Sequence, residues 1–390
     1  MLIREVFNVK TEEIFEKIDE LEQEYINFWV DICNIESPTN FKEGVDAVGK
    51  FISGKAKELG WEVEVSHQEV SGDAVCITMN GDSKEKPIVL SGHMDTVHPV
   101  GSFGTPTSRI EDDKLFAPGA EDCKGGITAA FFSMAVLEKC GFRKRPVKLV
   151  LQSDEEVGSV TSNKKTVEFM AEKAKGCEAF LNCEGYWPHM VVIERKGILR
   201  YSIEVNGKAM HSAACYNGAS AVCEAAHKII ELEKWKDGNG ITCNCSVISG
   251  GSTPNTVPDK CSFIADFRYK KKEEMAVIEQ FVKELCEKST IEGTTASYKV
   301  KSYRYAMERV ERNEKLVERI NEIFERNGIP RVKPTANNGG SDAADMTSAG
   351  ITCVDSFGVV GGGIHSVGEY AFISSLKEAV KRIVAVVNEL

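Results

Sequence analysis

The sequence has 390 residues, of which 42% are hydrophobic and 27% are charged, and its formal net charge at pH 7 is -11. This length favours two domains, and the composition is that of an ordinary globular protein. The negative charge argues against nucleic acid as a partner, because an acidic surface repels phosphate groups.

Membrane and disulfide-rich classes are also disfavoured. No apolar run is long enough to span a bilayer, and Met1–Phe7 lacks the layout of a signal peptide, so we expect no membrane partner and a cytoplasmic location. The 13 cysteines are odd in number and contain no Cys-x-x-Cys pair, which predicts free thiols.

Helical and strand-like patterns alternate along the first 80 residues. Amphipathic helices are followed by short apolar strands, at residues 11–33, 40–59, 61–66 and 74–79. The pattern Asn40-x-x-Glu43 predicts a capping box at the start of the second helix. Helices before and between strands indicate an α/β domain.

The third strand ends at a histidine followed by an acid. An apolar run from Ile88 stops at His93, and Asp95 lies two positions later. Side chains at i and i+2 of a strand project from the same side, so an aspartate here can fix the histidine tautomer and leave one ring nitrogen for a metal. A chance His-x-Asp at a strand end is the alternative.

Further acids and one histidine recur at comparable positions. They precede the apolar helix 127–137 or follow strands near 147–152, 179–182 and 351–358, and they are Asp122, Glu155, Glu156, Glu184 and His365. Because sites in open α/β sheets form at the carboxyl ends of strands, we expect these side chains to converge with His93. Such a nitrogen and oxygen ligand set suits zinc, with cobalt or manganese as alternatives.

Two other interpretations, one of the glycines before the apolar helix and one of the acidic residues 154–156, are weaker. A phosphate cradle at Gly125 and Gly126 lacks Walker A or Gly-x-Gly-x-x-Gly spacing. A solvated acidic turn is the ordinary interpretation of residues 154–156, but this run follows a strand of the buried type.

The pattern changes between residues 195 and 306. Its order β-α-β-β-α-β is that of the ferredoxin-like split motif, which indicates a self-contained small domain. The α/β pattern then resumes and ends in a helix that begins near Ser375-x-x-Glu378, a second predicted capping box. We therefore predict a discontinuous domain of residues 1–194 and 307–390 with residues 195–306 inserted in it.

Nine motifs in order resemble one known family. They are Ser-Gly-His93-Met-Asp95, Gly119-x-x-Asp122-x-Lys-Gly-Gly126, Asp154-Glu155-Glu156-x-Gly158, Glu184-Gly185, Gly207-x-x-x-His211-Ser, Gly250-Gly-x-x-x-Asn255-x-x-Pro258-Asp, Asp266-Phe-Arg268, Gly339-Gly-Ser-Asp342 and His365-Ser-x-x-Glu369. Together they resemble the dizinc metallopeptidases that include glutamate carboxypeptidases, acetylornithine deacetylases, succinyl-diaminopimelate desuccinylases and aminoacylases. The resemblance implies a three-layer αβα catalytic domain with a mostly parallel sheet, and an inserted lid that also forms a homodimer.

The resemblance also implies a role for each site residue. His93, Asp122 and Glu184 would hold one zinc ion, and Asp122, Glu156 and His365 the other, so that Asp122 bridges the two. In the catalytic group, Glu155 would be the general base towards a metal-bridged water, Asp95 would orient His93, and His211 would stabilise the oxyanion across a dimer. A surface or structural role is the alternative for His211.

Substrate contacts follow from the same resemblance. Asn255, Arg268, Gly340 and Ser341 would bind a substrate carboxylate, and an arginine offers such a group a bidentate fork. A structural salt bridge is the alternative for Arg268. Two departures from the family pattern are His98, which we expect at the mouth of the site, and Cys123, which we expect to be a packed neighbour.

The resulting prediction is a dizinc hydrolase of the carboxypeptidase or deacylase type. Its substrate would be a small N-acyl amino acid or a short peptide with a free carboxylate. The alternative is a regulatory or scaffold protein that binds metal on the same fold without turnover. Glu155 separates the two hypotheses, because a silent protein has little reason to keep a base beside intact ligands.

Overall fold

A computed structural model describes residues 10–390, which form two compact units. Unit 1 contains the described residues up to Ile193, together with Arg309–Ala336 and Ser341–Leu390, and unit 2 contains Glu194–Glu308 and Asn337–Gly340. Residues 1–9, on which the signal-peptide prediction rests, lie outside the described residues. Within residues 10–390, no helix combines the length and the apolar character that crossing a bilayer requires.

The α-helices, in chain order, are α1 Thr11–Asn34, α2 Lys42–Glu58, α3 Lys124–Lys139, α4 Lys165–Ala174, α5 Ala221–Leu232, α6 Glu274–Glu287, α7 Glu311–Arg326, α8 Asp342–Ser348 and α9 Ser374–Glu389. The strands are β1 Glu62–Ser66, β2 Ala74–Met79, β3 Ile88–His93, β4 Arg109–Glu111, β5 Lys114–Phe116, β6 Val147–Gln152, β7 Ala179–Asn182, β8 Met190–Arg195, β9 Gly197–Asn206, β10 Thr242–Gly250, β11 Lys260–Tyr269, β12 Thr295–Arg304, β13 Lys333–Asn337, β14 Cys353–Val354, β15 Gly361–Gly362 and β16 Tyr370–Phe372.

Unit 1 is built on a six-stranded sheet in the order β1-β2-β6-β3-β7-β14. The three neighbouring pairs from β6 to β14 are parallel, and β1 and β2 add antiparallel pairs at one edge. Central strands β3 and β7 are buried along their whole length, as their continuous apolar sequences predict. The prediction of an α/β unit with a mostly parallel sheet is confirmed.

Helix α3 is the centre of the unit 1 core. Its residues from Lys124 to Leu137 are all buried, which explains why its sequence is apolar on every side. It packs against α1, α9 and β3. Aromatic rings of α1 meet those of α3, for example Tyr25 stacked on Phe132 with ring centroids 4.1 Å apart.

A smaller four-stranded antiparallel sheet, β15-β16-β5-β4, also belongs to unit 1. Its central pair aligns Tyr370 of β16 with Phe116 of β5. The segments that follow β5 and precede β16 are therefore neighbours, although they are about 250 positions apart in the sequence.

Unit 2 has the element order β9-α5-β10-β11-α6-β12, and its antiparallel sheet runs β10-β11-β9-β12. Along β9 and β11 buried residues alternate with more exposed ones, so one face of the sheet packs on the helices. The core of this unit includes Tyr201, Phe263 and Phe267.

Both predicted capping boxes are wrong. Helix α2 begins after Phe41, and no side chain caps it. Helix α9 begins after Ile373, and Oδ1 of Asp113, rather than Ser375, accepts from the N–H of Ser374 at 2.9 Å. The hydroxyl of Ser375 donates to the carbonyl oxygen of Phe372 at 2.6 Å. A capping pattern identifies a residue that could cap a helix, but the residue does so only if the first turn begins directly after it.

Candidate metal centre

The carboxyl ends of three parallel strands meet in the main sheet of unit 1. The register pairs His93 with Gln152 at the end of β6, and Ser91 with Asn182 at the end of β7. Because these strands end side by side, the acids that follow β6 and β7 start from the same edge of the sheet as His93.

Close packing of the start of α3 against the segment that follows β7 brings Asp122 to this edge. A Cβ atom on Gly126 would lie 1.7 Å from the carbonyl oxygen of Cys183, just after β7. A Cβ atom on Gly125 would lie 2.4 Å from the carbonyl oxygen of Ala120. Gly126 therefore allows the helix to approach the backbone after β7, and Gly125 allows it to approach the turn before the helix, which explains both glycines without a phosphate ligand.

Asp122 lies between the two candidate histidine ligands. Its Oδ1 is 2.9 Å from Nε2 of His93, and its Oδ2 is 3.4 Å from Nε2 of His365. Oε1 of Glu184 is 3.8 Å from the same nitrogen of His93, and Oε2 of Glu156 is 3.4 Å from that of His365. Each histidine thus faces one oxygen of a shared aspartate and one glutamate.

The donor set fits divalent cations. Ligand atoms of His93, Asp122 and Glu156 all lie within 4.8 Å of one another. Imidazole nitrogens with carboxylate oxygens are ligands that zinc, cobalt and manganese accept. Because Asp122 directs one oxygen towards each histidine, the five side chains divide into two groups that share it.

The carboxylates of this cluster carry strongly shifted pKa values. Burial raises the pKa of Glu156 to about 8, with repulsion from Asp122 adding to the shift. Burial also raises the pKa of Glu184 well above its ordinary value. Hydrogen bonds to Asp122 and Glu156 raise the pKa of His365 to about 10. The cluster therefore needs protons or cations to balance its negative charge, and divalent cations would supply that balance.

Asp95 connects His93 to the turn that carries Glu155 and Glu156. The Nδ1 of His93 is 2.9 Å from the backbone carbonyl oxygen of Asp95 and 3.4 Å from its Oδ1. The backbone N–H groups of Glu155 and Glu156 donate to the two carboxylate oxygens at 3.1 and 3.2 Å. The hydroxyl of Thr39, which no sequence motif identified, donates to Oδ2 at 2.7 Å.

Glu155 lies next to the ligand glutamates. It begins a short 3₁₀ turn, Glu155–Val157, which ends at Gly158 with φ 69°. After burial and closer charges, repulsion from Glu155 also raises the pKa values of Glu156 and Glu184. Its charge therefore lies within electrostatic reach of both proposed metal ligands.

The two departures from the family pattern have different outcomes. His98 is only 5% exposed, and its Nε2 lies 2.7 Å from Oε2 of Glu369, so the expectation that it lines the mouth of the site is wrong. The thiol of Cys123 is buried and donates to the carbonyl oxygen of Cys183 at 3.1 Å. Burial raises the pKa of Cys123 well above its ordinary value, so the group is a protonated, packed neighbour.

Four of the remaining predicted residues, including Gly340, belong to unit 2. His211 and Asn255 lie on adjoining segments, because the N–H of Ser212 donates to the carbonyl oxygen of Asn255 at 2.9 Å. The Nε of Arg268 donates to Oδ1 of Asp266 at 2.8 Å. The salt bridge that was the alternative for Arg268 is therefore present.

The Gly-Gly-Ser loop crosses the boundary between the units. In unit 2, a Cβ atom on Gly340 would lie 2.8 Å from the side chain of Arg304, so this position requires a small residue. In unit 1, Ser341 is 1% exposed, and its hydroxyl accepts from the N–H of Ala343 at 3.2 Å and from the amide of Asn182 at 2.9 Å. The side chain of Ser341 is thus occupied as the cap of α8.

Comparisons with known proteins identify the family to which the chain belongs. The model of peptidase family M20/M25/M40 matches residues 89–389. Carboxypeptidase G2 of Pseudomonas sp. (strain RS-16) is 27% identical over 353 residues, which cover 88% of this chain and 84% of that protein. Acetylornithine deacetylase of Myxococcus xanthus is 29% identical over 252 residues, which cover 59% of this chain and 63% of that protein.

A solved structure extends the fold comparison to nearly the whole chain. The aminopeptidase PepT of Bacillus cereus ATCC 10987 superposes with a TM-score of 0.78 at 21% identity, over 94% of this chain and 98% of that one. At this identity the likeness is evidence of the fold alone. The family match over most of the chain supports the enzyme prediction, and the chain belongs to peptidase family M20/M25/M40, a family of metal-dependent peptidases and amidohydrolases.

Proposed function

We propose that this protein hydrolyses an amide bond in a small N-acyl amino acid or short peptide that carries a free carboxylate. The relatives named carboxypeptidase and deacetylase act on substrates of these two kinds, which supports the proposal. The observation that carries it is the position of Asp122, whose two carboxylate oxygens face His93 and His365 separately.

The proposed cofactor is a pair of zinc ions, with cobalt or manganese as alternatives. His93, Asp122 and Glu184 would hold one ion, and Asp122, Glu156 and His365 would hold the other. When bound, such cations supply Lewis acidity, which makes water a better nucleophile and polarises a carbonyl group.

The protein side chains supply the proton transfers. The carboxylate of Glu155 accepts a proton from the attacking water as the C–O bond forms, and gives a proton to the leaving nitrogen as the C–N bond breaks. Asp95 holds the backbone N–H of Glu155 and the adjacent ring of His93, so it fixes the base relative to the ligands. Such proton transfers typically contribute about 10²- to 10⁴-fold to the rate.

Unit 2 is the proposed ferredoxin-like lid and dimerisation domain, corresponding to the predicted insertion of residues 195–306. His211, through a homodimer, would donate a hydrogen bond to the oxyanion that develops on the substrate. Asn255, Arg268 and the Gly340 loop would contact the substrate carboxylate. The hydroxyl of Ser341 is left out of this proposal, because it is buried and already bonded within unit 1.

Metal analysis combined with substrate profiling tests the proposed function. The purified protein is assayed for zinc, cobalt and manganese, and then for hydrolysis of N-acetyl and N-succinyl amino acids and dipeptides, before and after chelation. We expect two ions per chain and hydrolysis that chelation abolishes and zinc restores.

Two outcomes would decide against this function. Full metal occupancy without hydrolysis of any panel member would favour the silent scaffold protein. Hydrolysis that continues after complete removal of metal would contradict the proposed metal centre. Light scattering tests the homodimer separately, and a monomer that remains active would remove the role of His211 across subunits.

A further inference from the structure

Glu369 makes an unusual number of hydrogen bonds for one buried carboxylate. It is 1% exposed, and its Oε1 accepts from the backbone N–H groups of Glu121 and Asp122 at 3.0 and 3.1 Å. Its Oε2 accepts from the N–H of Gly119 at 3.2 Å and faces Nε2 of His98 at 2.7 Å. Four donors from two parts of the chain thus converge on one side chain.

Three of these donors belong to the turn that presents Asp122. This turn follows β5, and Glu369 directly precedes β16, the strand that pairs with β5. Glu369 is also tied to the turn that carries His365, because its N–H donates to the carbonyl oxygen of Ser366 at 3.0 Å. The carboxylate therefore joins the backbone that carries the shared aspartate to the backbone that carries the second histidine.

His98 completes the set of bonds. Since a carboxylate accepts but does not donate, the imidazole donates its Nε2–H to Glu369. The ring is 5% exposed and packs edge-on against Phe103, with ring centroids 4.9 Å apart. A buried carboxylate is costly unless its oxygens accept hydrogen bonds, so this arrangement is stable only with all partners in place.

We propose that the buried pair of His98 and Glu369 is a positioning device that sets the distance between the two groups of metal ligands. Neither residue is among the proposed metal ligands or substrate contacts. Glu369 fixes the turn that carries Asp122 relative to the turn that carries His365, and His98 holds the carboxylate in the required rotamer. This inference rests on the metal centre proposed above, and it adds residues to which that proposal gives no role.

The physical consequence concerns how well the ligands are organised before metal arrives. Without Glu369, the N–H groups of the Gly119–Asp122 turn lose their acceptor, and the turn must rearrange to find others. The oxygens of Asp122 would then no longer be held at fixed distances from His93 and His365. Loss of groups that orient metal ligands typically lowers metal affinity by about 10- to 100-fold.

Cobalt binding provides a readout that does not depend on turnover. Metal-free protein is titrated with Co²⁺, and the visible d–d absorption gives the number of sites, their affinities and their coordination. We expect Glu369→Ala to weaken the binding of at least one Co²⁺ by about 10- to 100-fold and to change the d–d spectrum. His98→Ala should have the same effect in a weaker form.

Conservative variants separate positioning from a general loss of packing. His98→Gln keeps an N–H donor and should restore much of the affinity that His98→Ala loses. Glu369→Gln keeps one accepting oxygen and should fall between the native protein and Glu369→Ala. These variants also serve where Glu369→Ala fails to fold, which circular dichroism of the metal-free protein would reveal.

Matched controls use the same residue types elsewhere in unit 1. His67 is an exposed histidine whose Nδ1 lies 2.6 Å from Oδ2 of Asp73. Glu389 is a carboxylate that accepts from Asn327 and Arg326 at 2.5 and 2.9 Å. We expect His67→Ala and Glu389→Ala to leave the cobalt affinities and the spectrum unchanged.

The outcomes distinguish this inference from the proposed function. Failure of the native protein to bind two cobalt ions would reject the metal centre itself. If the native protein binds two ions and a folded Glu369→Gln and His98→Ala both keep its affinities and spectrum, the positioning role is wrong while the metal centre stands. Equal losses in His98→Ala and His98→Gln would also reject the role given to His98.

Discussion

The two histidines of the candidate metal centre differ in how the protein holds them. His93 ends a central strand, its side chain is 1% exposed, and its Nδ1 lies 2.9 Å from the carbonyl oxygen of Asp95. His365 lies on a loop after a glycine-rich turn, its side chain is 57% exposed, and its backbone has φ 62°. One ligand is thus part of the sheet core, and the other belongs to the surface.

This difference predicts unequal metal positions. The group formed by His93, Asp122 and Glu184 is buried and held by neighbouring strands, so little conformational entropy is lost when it binds an ion. The group that includes His365 must order an exposed side chain on a loop. We therefore expect the position with His93 to bind metal more tightly, and the following variants test this contrast.

The largest effect is expected from Glu155, the proposed general base, whose backbone N–H donates to the carboxylate of Asp95 beside His93. Glu155→Gln removes the proton acceptor but keeps the shape, so kcat should fall by about 10²- to 10⁴-fold while two metals remain bound. Parallel steady-state kinetics and metal analysis measure this. The exposed Glu172→Gln is the control and should keep native kcat. A Glu155→Gln enzyme with native kcat would remove the residue from its role.

The second prediction compares the histidines in the absence of metal. His93→Ala leaves buried carboxylates without their partner, so the free energy of unfolding should drop by about 3–5 kcal/mol. His365→Ala removes an imidazole that is itself 57% exposed, although its partners Asp122 and Glu156 are largely buried, so it should cost less, about 1–3 kcal/mol. Urea denaturation of the metal-free proteins gives both values. Equal losses in the two variants would contradict the contrast between a core and a surface ligand.

Metal content should separate the same two variants. His365→Ala should keep about one equivalent of zinc, because the inner group remains complete, whereas His93→Ala should lose both ions after mild chelation, since Asp122 is then less well oriented. Plasma mass spectrometry after gel filtration measures the content. Retention of more zinc by His93→Ala than by His365→Ala would reverse the predicted order of affinities.

A smaller effect is expected at Thr39, which supports the group around His93 indirectly, through Asp95. Thr39→Val removes the hydroxyl that donates to Oδ2 of Asp95, which also accepts from the N–H of Glu156. The free energy of unfolding should fall by about 1–3 kcal/mol, because a buried acceptor loses one donor. Thr11→Val is the matched control, since its hydroxyl donates to Glu389 at 3.0 Å in a partly buried position. Equal losses in both variants would indicate no special support at Asp95.

The smallest effect is expected on the exposed loop. The hydroxyl of Ser366 donates to the carbonyl oxygen of Gly363 at 2.6 Å and accepts from the N–H of Gly368 at 3.2 Å. Ser366→Ala should change the free energy of unfolding by less than about 1 kcal/mol and weaken only the looser metal position. Zinc titration followed by competition with a chelator measures this. A lower zinc affinity at the tighter position, which includes His93, would contradict the expected independence of the two metal positions.

The sequence predicted the strand ends well because period and length are local properties. Strands β2 and β6 have the predicted limits, and the acids that follow the central strands do lie near His93. The sequence did not predict the individual hydrogen bonds within the site. The carboxylate of Asp95 accepts hydrogen bonds from two N–H groups of the turn after β6, whereas its Oδ1 is 3.4 Å from the ring of His93. This arrangement depends on the register between β3 and β6, which a single sequence does not specify.

Buried polar contacts between distant segments were the other gap. The sequence identified Glu369 only as the last residue of the motif His365-Ser-x-x-Glu369, and His98 only as an unusual histidine. No local pattern indicates that these two residues, 271 positions apart, are partners. The helix caps failed for the opposite reason. Local patterns at Asn40 and Ser375 are favourable, but the helices begin after Phe41 and Ile373, so neither side chain lies at the cap position.

The bare first turn of α3 limits how this enzyme can change. Since the carbonyl oxygen of Cys183 occupies the space that a methyl group on Gly126 would need, side-chain bulk there would press directly on the segment that leads to Glu184. The lack of a side chain at Gly126 is thus what allows the helix to lie this close to the segment after β7.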